Sequence, residues 1–460
     1  MTHAPIPTIA LEKVDFLPAN RVTDDTGILT LKSLVLEPML RWHDGRIGAG
    51  LFSQWHCDSS GCRWSLRLPD GKTYHDGTPV MAADAARFID RILGSRDMFG
   101  MPWSYARYLE GAQIEADGAV LHISTPRPFP DLPEILSEFY LPKEDAQGRP
   151  VIGTGPWQVQ SFSPGQQVVL RRTADGREVC LVALPLAEDR LAALISGKVQ
   201  AATHLERLAV PRRALAGFGW IEQPATLSVM AYLNGFAGAF RDPRARLAAN
   251  LAIDRSRLIA EVMGGLAIAA DTIVSPWHFG HAQASLVPLR HDPQEARRLL
   301  AATDGPRDIV LRTPTHMPER APEIAQFMAQ AWNDVGFETR IDLAEDRPQY
   351  ARDLGQKQMG DAAIFDSSPH STFRVLDDKI SSLSRAVWWQ GVTDSSVDTA
   401  FDTARHLSDD TARAGAYGAV LARLQASPPW VYLVHPVLCL AHAPEVQGLS
   451  LDHKGILRIA

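Results

Sequence analysis

Apolar and polar positions alternate along this chain in two different ways. In the first half, "RWSLRLPDG" and "AVLHISTPRPFPDL" change between apolar and polar at every second residue and end at Asp-Gly or Pro turns. That period predicts β-strands. "PTIALEKVDF" predicts another short strand. "TDDTGILTLKSLVLEPMLRW" then predicts a helix capped near Thr23 or Asp24, with Ile28, Leu31 and Val35 on its buried side.

In the second half, strands and helices take turns. "DIVLRTP", "ETRIDLA" and "GDAAIFD" predict strands, and "APEIAQFMAQAWNDVGF" and "RPQYARDLGQKQM" predict the helices between them. A β-α-β-α-β order implies a parallel sheet with right-handed crossovers. Before it, "RARLAANLAIDRSRLIAEVMGG" predicts one long helical stretch that ends at Gly264 and Gly265. The mixture predicts an α/β protein of two lobes, with the chain passing between them more than once.

The stretch "YHDGTPVMAADAARFIDRIL" places His75 beside Asp76, a pair that could carry chemistry. Asp76 and Gly77 form a typical turn dipeptide, and Pro79 precedes an Ala-rich amphipathic helix. A metal site would need further ligands close by, and no such spacing follows. We therefore interpret the pair as turn residues between a strand and a helix.

Composition narrows the class of protein. The chain has 460 residues, 45% of them hydrophobic, and a net charge of -7. That length predicts two or three domains, and the mildly acidic balance gives no reason to expect a nucleic-acid partner. The sequence shows neither an apolar run near 18 residues nor a signal peptide in "MTHAPIPTIALEKVDF". Two locations therefore stay open: the periplasm or cell envelope if an export signal was removed, and the cytoplasm if Met1 is the native start.

The four cysteines fall into two groups. Cys57 and Cys62 flank a polar turn in "WHCDSSGCRW" and are candidates for a disulfide, with two free thiols as the alternative. Cys180 and Cys439 lie in apolar strands and are expected to be small buried hydrophobes.

Several motifs, in order, resemble the family 5 extracellular solute-binding proteins of ABC importers, the dipeptide, oligopeptide and nickel type. The motifs that carry the resemblance are "LVLEPMLRWHDGRIGAGLFSQW", "RWSLRLPDGKTYHDGTPVMAADAARFIDRIL", "IGTGPWQVQSFSPGQQVVLRR", "DRLAALISGKVQAA", "AYLNGFAGAFRDPRARLAANLAIDRSRLIAEVMGGLAIAA" and "HDPQEARRLLAA". None is decisive alone, but their order along nearly the whole chain is specific.

The resemblance implies a two-lobed periplasmic-binding-protein clamp, class II-like, with an extra subdomain on lobe I. The implied boundaries are 1–35, 152–228 and 425–460 for the lobe I main domain, 36–151 for the subdomain, and 229–424 for lobe II. It also implies a ligand in the interlobe cleft, hinge closure and delivery to ABC permease subunits. We expect a monomer with no catalytic activity, no cofactor and no nucleic-acid partner.

The chain departs from the family pattern at informative places. Met81 stands where a helix-capping Thr is frequent, and Gln200 replaces an acid. In "IFDSSPHSTF", Asp366 is the acid nearest to the one that holds the ligand's ammonium group in peptide-binding relatives. Ala363 and Ser367 fall where the nickel-type relatives have aromatic residues, so a nickel-chelate site is disfavoured and no metal is expected.

Ligand-binding candidates follow from the segments that line the cleft in the resembled family. They are Trp103, Tyr105, Arg107, Tyr232, Asn234, Trp277, His278, Asp366, His370, Trp388 and Trp389. His278 also fits a loop histidine with satisfied hydrogen bonds. Adjacent residues cannot share a strand face, so only one of Trp388 and Trp389 is expected to face a ligand. Asp366 would pair with an ammonium group, and Arg107 with a carboxylate or phosphate.

Three functions stay open at this stage. The favoured one is the binding protein of an importer, which captures a small polar solute such as a peptide or an opine-like compound. The second is a cytoplasmic ligand sensor on the same fold. The third is an enzyme, for which no GxSxG, P-loop, GxGxxG or HExxH motif is present in the sequence.

Overall fold

The computed structural model describes residues 7–18, 21, 23, 25–96, 100–101, 104–208 and 216–460. The chain forms two compact units: unit 1 comprises residues 1–223 and 438–460, and unit 2 comprises residues 224–437. Unit 2 extends beyond the expected 229–424 at both ends. The later boundary falls inside one continuous strand, Trp430–His442, whose first residues pair with a strand of unit 2.

Unit 1 holds a mixed sheet, a smaller antiparallel sheet and two short hairpins. Its strands are β1 (Thr8–Leu11), β2 (Leu40–His43), β3 (Arg46–Ala49), β4 (Gln54–Cys57), β5 (Arg63–Arg67), β6 (Gln113–Asp117), β7 (Val120–Ser124), β8 (Trp157–Ser163), β9 (Gln167–Arg172), β10 (Glu178–Ala183), β11 (Ala201–Ala202), β12 (Gly219–Pro224), the end of β18 (Trp430–His442), β19 (Leu449–Leu451) and β20 (Leu457–Ile459). The mixed sheet has the order β11-β1-β10-β9-β8, and the smaller one β4-β5-β7-β6. The strands predicted from "PTIALEKVDF", "RWSLRLPDG" and "AVLHISTPRPFPDL" are confirmed as β1, β5 and β7.

The helices of unit 1 differ in how their first turns are capped. They are α1 (Thr26–Val35), α2 (Ala82–Leu93), α3 (Tyr105–Tyr108), α4 (Leu132–Leu136) and α5 (Ala187–Ile195). The cap of α1 is Asp25 and not Thr23, because the Asp25 carboxylate accepts the backbone N–H groups of Gly27 and Ile28; Asp24, the other predicted cap, lies outside the described residues. In α2, Met81 offers no side-chain cap, and the Asp84 carboxylate instead accepts the Met81 N–H at 2.9 Å.

Unit 2 contains the predicted β-α-β-α-β segment. Its strands are β13 (Ser228–Leu233), β14 (Ala267–Ala269), β15 (Asp308–Pro314), β16 (Glu338–Ala344), β17 (Ala362–Ser367) and the start of β18. Its helices are α6 (Pro243–Leu251), α7 (Arg255–Glu261), α8 (Pro293–Ala301), α9 (Ala321–Val335), α10 (Arg347–Gly355), α11 (Thr372–Lys379), α12 (Ser395–Ala404) and α13 (Asp410–Ala426). Strand order is β16-β15-β17-β13-β18, with β15 parallel to both neighbours, as predicted.

One face of the unit 2 sheet packs against helices to form the core. Ile324, Met328 and Trp332 lie one turn apart on α9 and are fully buried against the sheet. The Trp332 indole N–H donates to the carbonyl of Ala249 at 3.1 Å, so its only polar atom is satisfied. Gly336 ends α9 with a φ of 109°, a left-handed conformation that favours glycine.

The expectation of one long helix ending at Gly264 and Gly265 is wrong. The stretch forms two helices, α6 and α7, separated at Asp254. The Asp254 side chain accepts the backbone N–H of Arg257 and so starts a new helix. Apolar spacing continues across the break and hides it in the sequence.

Candidate functional site

The end of β17 carries a partly exposed acid, Asp366, directly after the buried aromatic residue Phe365. Ala362 and Ile364 point into the core, so strand alternation turns Phe365 to the opposite face. Asp366, the next residue, keeps 20% of its side chain exposed. The pairing of Asp366 with Val229 and of Ser367 with Ser228 fixes this register.

The Asp366 carboxylate is held by charge and not by hydrogen bonds. Its nearest cation is Arg347, whose Nη2 lies 4.0 Å away, too far for a hydrogen bond. Arg347 is only 3% exposed, donates to the carbonyl of Met317 at 2.7 Å, and lies 4.7 Å from the centre of the Phe365 ring. Among the described residues, no group donates a hydrogen bond to this carboxylate. It therefore keeps acceptor capacity for another partner.

On the other face of the sheet, aromatic rings surround a lysine. We call Tyr232, Phe365, Lys379, Trp388 and Trp430 the aromatic–lysine cluster. The Lys379 ammonium lies between 5.8 and 6.0 Å from the centres of all four rings. The rings also contact each other, with centres 4.1 Å apart for Tyr232 and Trp430 and 5.0 Å apart for Phe365 and Trp388. Cation–π attraction of this kind is strongest where water is excluded.

Hydrogen bonds tie Lys379 to the strand that carries Asp366. Its ammonium donates to the Tyr232 hydroxyl at 3.1 Å and to the backbone carbonyl of Asp366 at 3.3 Å. Burial, with a smaller contribution from the negative charge of Asp366, raises the pKa of Tyr232 well above its usual range. The phenol therefore stays neutral and its oxygen can accept from the ammonium.

Of the two histidines predicted to bind ligand, His278 is held by internal hydrogen bonds and His370 is buried beside it in a neighbouring loop. His278 is buried, with Nδ1 2.9 Å from the Ser275 hydroxyl and Nε2 2.8 Å from the Pro369 carbonyl. His370, next to Pro369, is 1% exposed. Burial lowers the pKa of His278 to about 4, so its ring is neutral at physiological pH. Trp277, beside it, is half-buried.

Asn234 and Trp389 are not part of the aromatic–lysine cluster. The Asn234 amide donates to the Gly360 carbonyl at 2.8 Å, and its oxygen accepts the backbone N–H of Phe236, so the side chain closes a loop. Trp389 is 9% exposed, and its indole N–H donates to Val392 at 2.8 Å. Of the two adjacent tryptophans, Trp389 packs inward, and Trp388 is half-buried in the aromatic–lysine cluster.

In unit 1 the candidates are spread over a short helix. Trp103 lies outside the described residues. Tyr105 is fully buried against Phe139, and its hydroxyl donates to Glu138. Arg107, half-buried, has its guanidinium 5.1 Å from the centre of the Tyr108 ring.

The His75–Asp76 pair is a turn, as interpreted from the sequence. His75 Nε2 lies 2.8 Å from the Gly155 carbonyl, and the Asp76 carboxylate accepts the N–H and hydroxyl of Thr78 and binds Lys143. In the part of the chain that the structure describes, no group of three or more His, Cys, Asp or Glu side chains could hold a metal ion. Nor does any helix in that part have the length and apolar character to cross a membrane.

The four cysteines are separate thiols in the structure. Cys57 ends β4 opposite Trp64, and the Cys62 thiol lies 3.6 Å from the Ser60 carbonyl. Burial, helped by the charge of Asp58, raises the pKa of Cys57 to about 11. A Cys57–Cys62 disulfide therefore stays a prediction. Cys439 is buried and Cys180 is partly buried.

Sequence reasoning missed Arg347, Phe365, Lys379 and Trp430. Phe365 could have been found, because strand alternation in "GDAAIFD" separates it from the core residues. Lys379 follows two acids in "FRVLDDKI" and looks like part of a solvated face. Its burial depends on packing between segments that are distant in the sequence.

A comparison with known protein families identifies the family to which this chain belongs. The model of the bacterial extracellular solute-binding proteins, family 5 Middle, matches residues 46–375. This chain belongs to that family. It is the solute-binding component of an ABC importer, and its partners are a small ligand and the permease subunits.

Relatives match this solute-binding protein over most of its length. The glutathione-binding protein GsiB of Shigella dysenteriae is 25% identical over 419 residues, covering 84% of this chain and 80% of GsiB. DppA of Helicobacter pylori, solved in complex with the peptide STSA, is 18% identical with a TM-score of 0.76 and coverages of 99% and 98%. NikA of Brucella suis, in complex with Fe(III)-EDTA, is 19% identical with a TM-score of 0.82 and 98% coverage of both chains. At these identities the two structures establish the α/β fold.

Proposed function

We propose that this solute-binding protein captures a short peptide or a similar small solute that carries a primary ammonium group. Asp366 would accept the ammonium, and the ligand would then pass intact to the permease. One observation carries the proposal: within the described residues the Asp366 carboxylate is partly exposed and accepts no hydrogen bond.

The neighbouring acids make poorer candidates. Asp377 and Asp378 are 1% and 3% exposed. The Asp377 carboxylate already accepts from Arg405 and from the Ser384 hydroxyl. Asp366 therefore stands out as the acid of this region that a solute could reach. The names of two relatives agree with this ligand class, since one binds glutathione and the other was solved with a tetrapeptide.

We also propose that the protein binds its ligand without catalysis and that it works outside the cytoplasmic membrane. Its relatives are solute-binding proteins, and binding without turnover is the activity we assign to it. The family's extracellular description favours a place outside the cytoplasmic membrane over the alternative of a cytoplasmic sensor. Cell fractionation of the native organism would separate these two locations.

Calorimetric titration with short peptides and their N-acetylated counterparts tests the ligand class. Acetylation removes the ammonium group, so the acetylated peptide should lose the part of its affinity that Asp366 contributes. Asp366→Asn should weaken binding of the free peptide about 10- to 100-fold, because a hydrogen bond to a charged group contributes about 1.5–3 kcal/mol. The variant should not change binding of the acetylated peptide. Equal affinities of the wild type for both peptides would remove Asp366 from this role.

A further inference from the structure

Lys357 occupies an unusual position just beyond the end of α10. It adopts a left-handed conformation with a φ of 69°, and its backbone N–H donates to Leu354. The side chain is half-buried and reaches the turn at residues 386–389, which carries Trp388.

The ammonium of Lys357 meets three backbone carbonyls of that turn. It donates to Val387 at 2.6 Å and to Trp389, and it lies 3.5 Å from the carbonyl of Ala386. An ammonium has three N–H groups, so its donors match these three acceptors. Among the described residues, Lys357 supplies the only donor to the carbonyls of Val387 and Trp389.

Other contacts fix the flanks of the turn, and within it the Trp389 N–H donates to the Ala386 carbonyl at 3.0 Å. Gln390 donates to the Leu354 carbonyl at 3.2 Å, and its own carbonyl accepts the Gly235 N–H at 2.8 Å. Trp388 itself is fixed by its ring, which lies 5.0 Å from the Phe365 ring. Phe365 immediately precedes Asp366 in β17.

We propose that Lys357 is a positioning residue, which holds the 386–389 turn so that Trp388 stays against Phe365 beside the ligand-binding acid. The expected effect of Lys357 on ligand affinity rests on the proposed function. The expected effect of Lys357 on the position of Trp388 rests only on the contacts given above. Lys357 acts through the turn and does not need to touch the ligand.

The proton of Lys357 provides a test that needs no substitution. Burial lowers the pKa of Lys357 to about 8. The charged groups along the two elements have other partners: Asp353 accepts from Arg312 and Gln349, Arg352 donates to Gln349, and the Arg385 guanidinium lies over the Trp389 ring. Above pH 8 the neutral amine keeps two donors but loses its positive charge, so its bonds to the carbonyls of Val387 and Trp389 weaken, whereas the Ala386 carbonyl keeps the Trp389 N–H at 3.0 Å.

The experiment uses the full chain labelled with 5-fluorotryptophan, without ligand. Trp388→Phe assigns the Trp388 fluorine resonance. We expect Lys357→Met to shift or broaden that resonance, Lys357→Arg to preserve it, and the exposed Lys198→Met to leave it unchanged. In the wild type the resonance should titrate near pH 8, whereas in Lys357→Arg it should stay constant through that range. An identical Trp388 resonance in wild type and Lys357→Met, or no change from pH 7 to 9.5 in the wild type, would overturn the proposal.

Peptide affinity at pH 7 gives the second measurement. Lys357→Met should weaken binding about tenfold, and Lys357→Arg should restore most of it. If no peptide binds the wild type, the proposed function fails while the fluorine comparison still decides the role of Lys357. If Lys357→Met does not fold, the wild-type pH titration and the Arg variant decide it.

Discussion

The buried histidines of unit 2 should make the protein lose stability at mildly acidic pH. His435 is 1% exposed, with Nδ1 3.0 Å from the Ser228 hydroxyl, and burial lowers its pKa to about 3. His278 is similarly buried, and burial lowers its pKa to about 4. Both rings are neutral in the folded protein. Unfolding releases them into water, where a histidine takes up a proton near pH 6.5.

The size of this loss in unfolding free energy follows from the difference in histidine pKa between the folded and unfolded states. Because both folded-state pKa values lie below the unfolded value, this stability is complete above pH 6.5 and is lost as the pH falls towards the folded values. At pH 5 the unfolded state gains about 2 kcal/mol from each histidine, since 1.5 pH units at 1.36 kcal/mol each separate pH 5 from 6.5. The pair together therefore costs about 4 kcal/mol of unfolding free energy at pH 5. His281, whose pKa is also lowered by burial, adds to the same trend.

Urea unfolding at pH 7.5 and pH 5 measures this loss. His278→Gln can still donate to Pro369, and His435→Asn can still donate to Leu227, but neither side chain titrates. The double variant should show a pH-dependent loss about 4 kcal/mol smaller than the wild type. The exposed His316→Gln should behave as the wild type does. An unchanged pH dependence in the double variant would exclude His278 and His435 as its source.

Two further predictions concern unit 1. Peptide mapping after alkylation at pH 8 tests the predicted disulfide, which a cross-linked Cys57–Cys62 peptide would confirm. A free Cys57 should instead react slowly, because a pKa of about 11 leaves only about a thousandth of it as thiolate. Arg107→Ala should weaken a peptide with a free carboxyl terminus about tenfold or more, through loss of a charge-assisted bond, and leave the amidated peptide unchanged. Equal effects on both peptides, measured by calorimetry, would exclude Arg107 as the carboxylate partner.

Periodicity predicted the fold well where one face of an element is buried. The spacing of Ile324, Met328 and Trp332 predicted α9, and the alternating strands around it predicted the parallel β15–β16 pair. The method failed at Asp254, where a new helix cap interrupts a continuous apolar pattern. Local hydrogen bonding decided that boundary, and apolar spacing does not record it.

The candidate site was less predictable than the fold. Asp366 came from a family resemblance. Trp388 and Trp389 lie in a turn, so strand alternation does not explain why only Trp389 packs inward. Lys379 and Arg347 could not be found, because a buried cation in the sequence looks like any solvated one. Only the packing of α10 and α11 against β17 brings their charges to the strand that carries Asp366.

The central claim is that this protein binds a small ammonium-bearing solute and releases it chemically unchanged. Native mass spectrometry of the purified protein with a short peptide tests it directly. The expected result is a complex of one peptide per chain, with the peptide recovered at its original mass, and a weaker complex with the N-acetylated peptide. A shortened or modified peptide, or equal binding of the acetylated form, would contradict it.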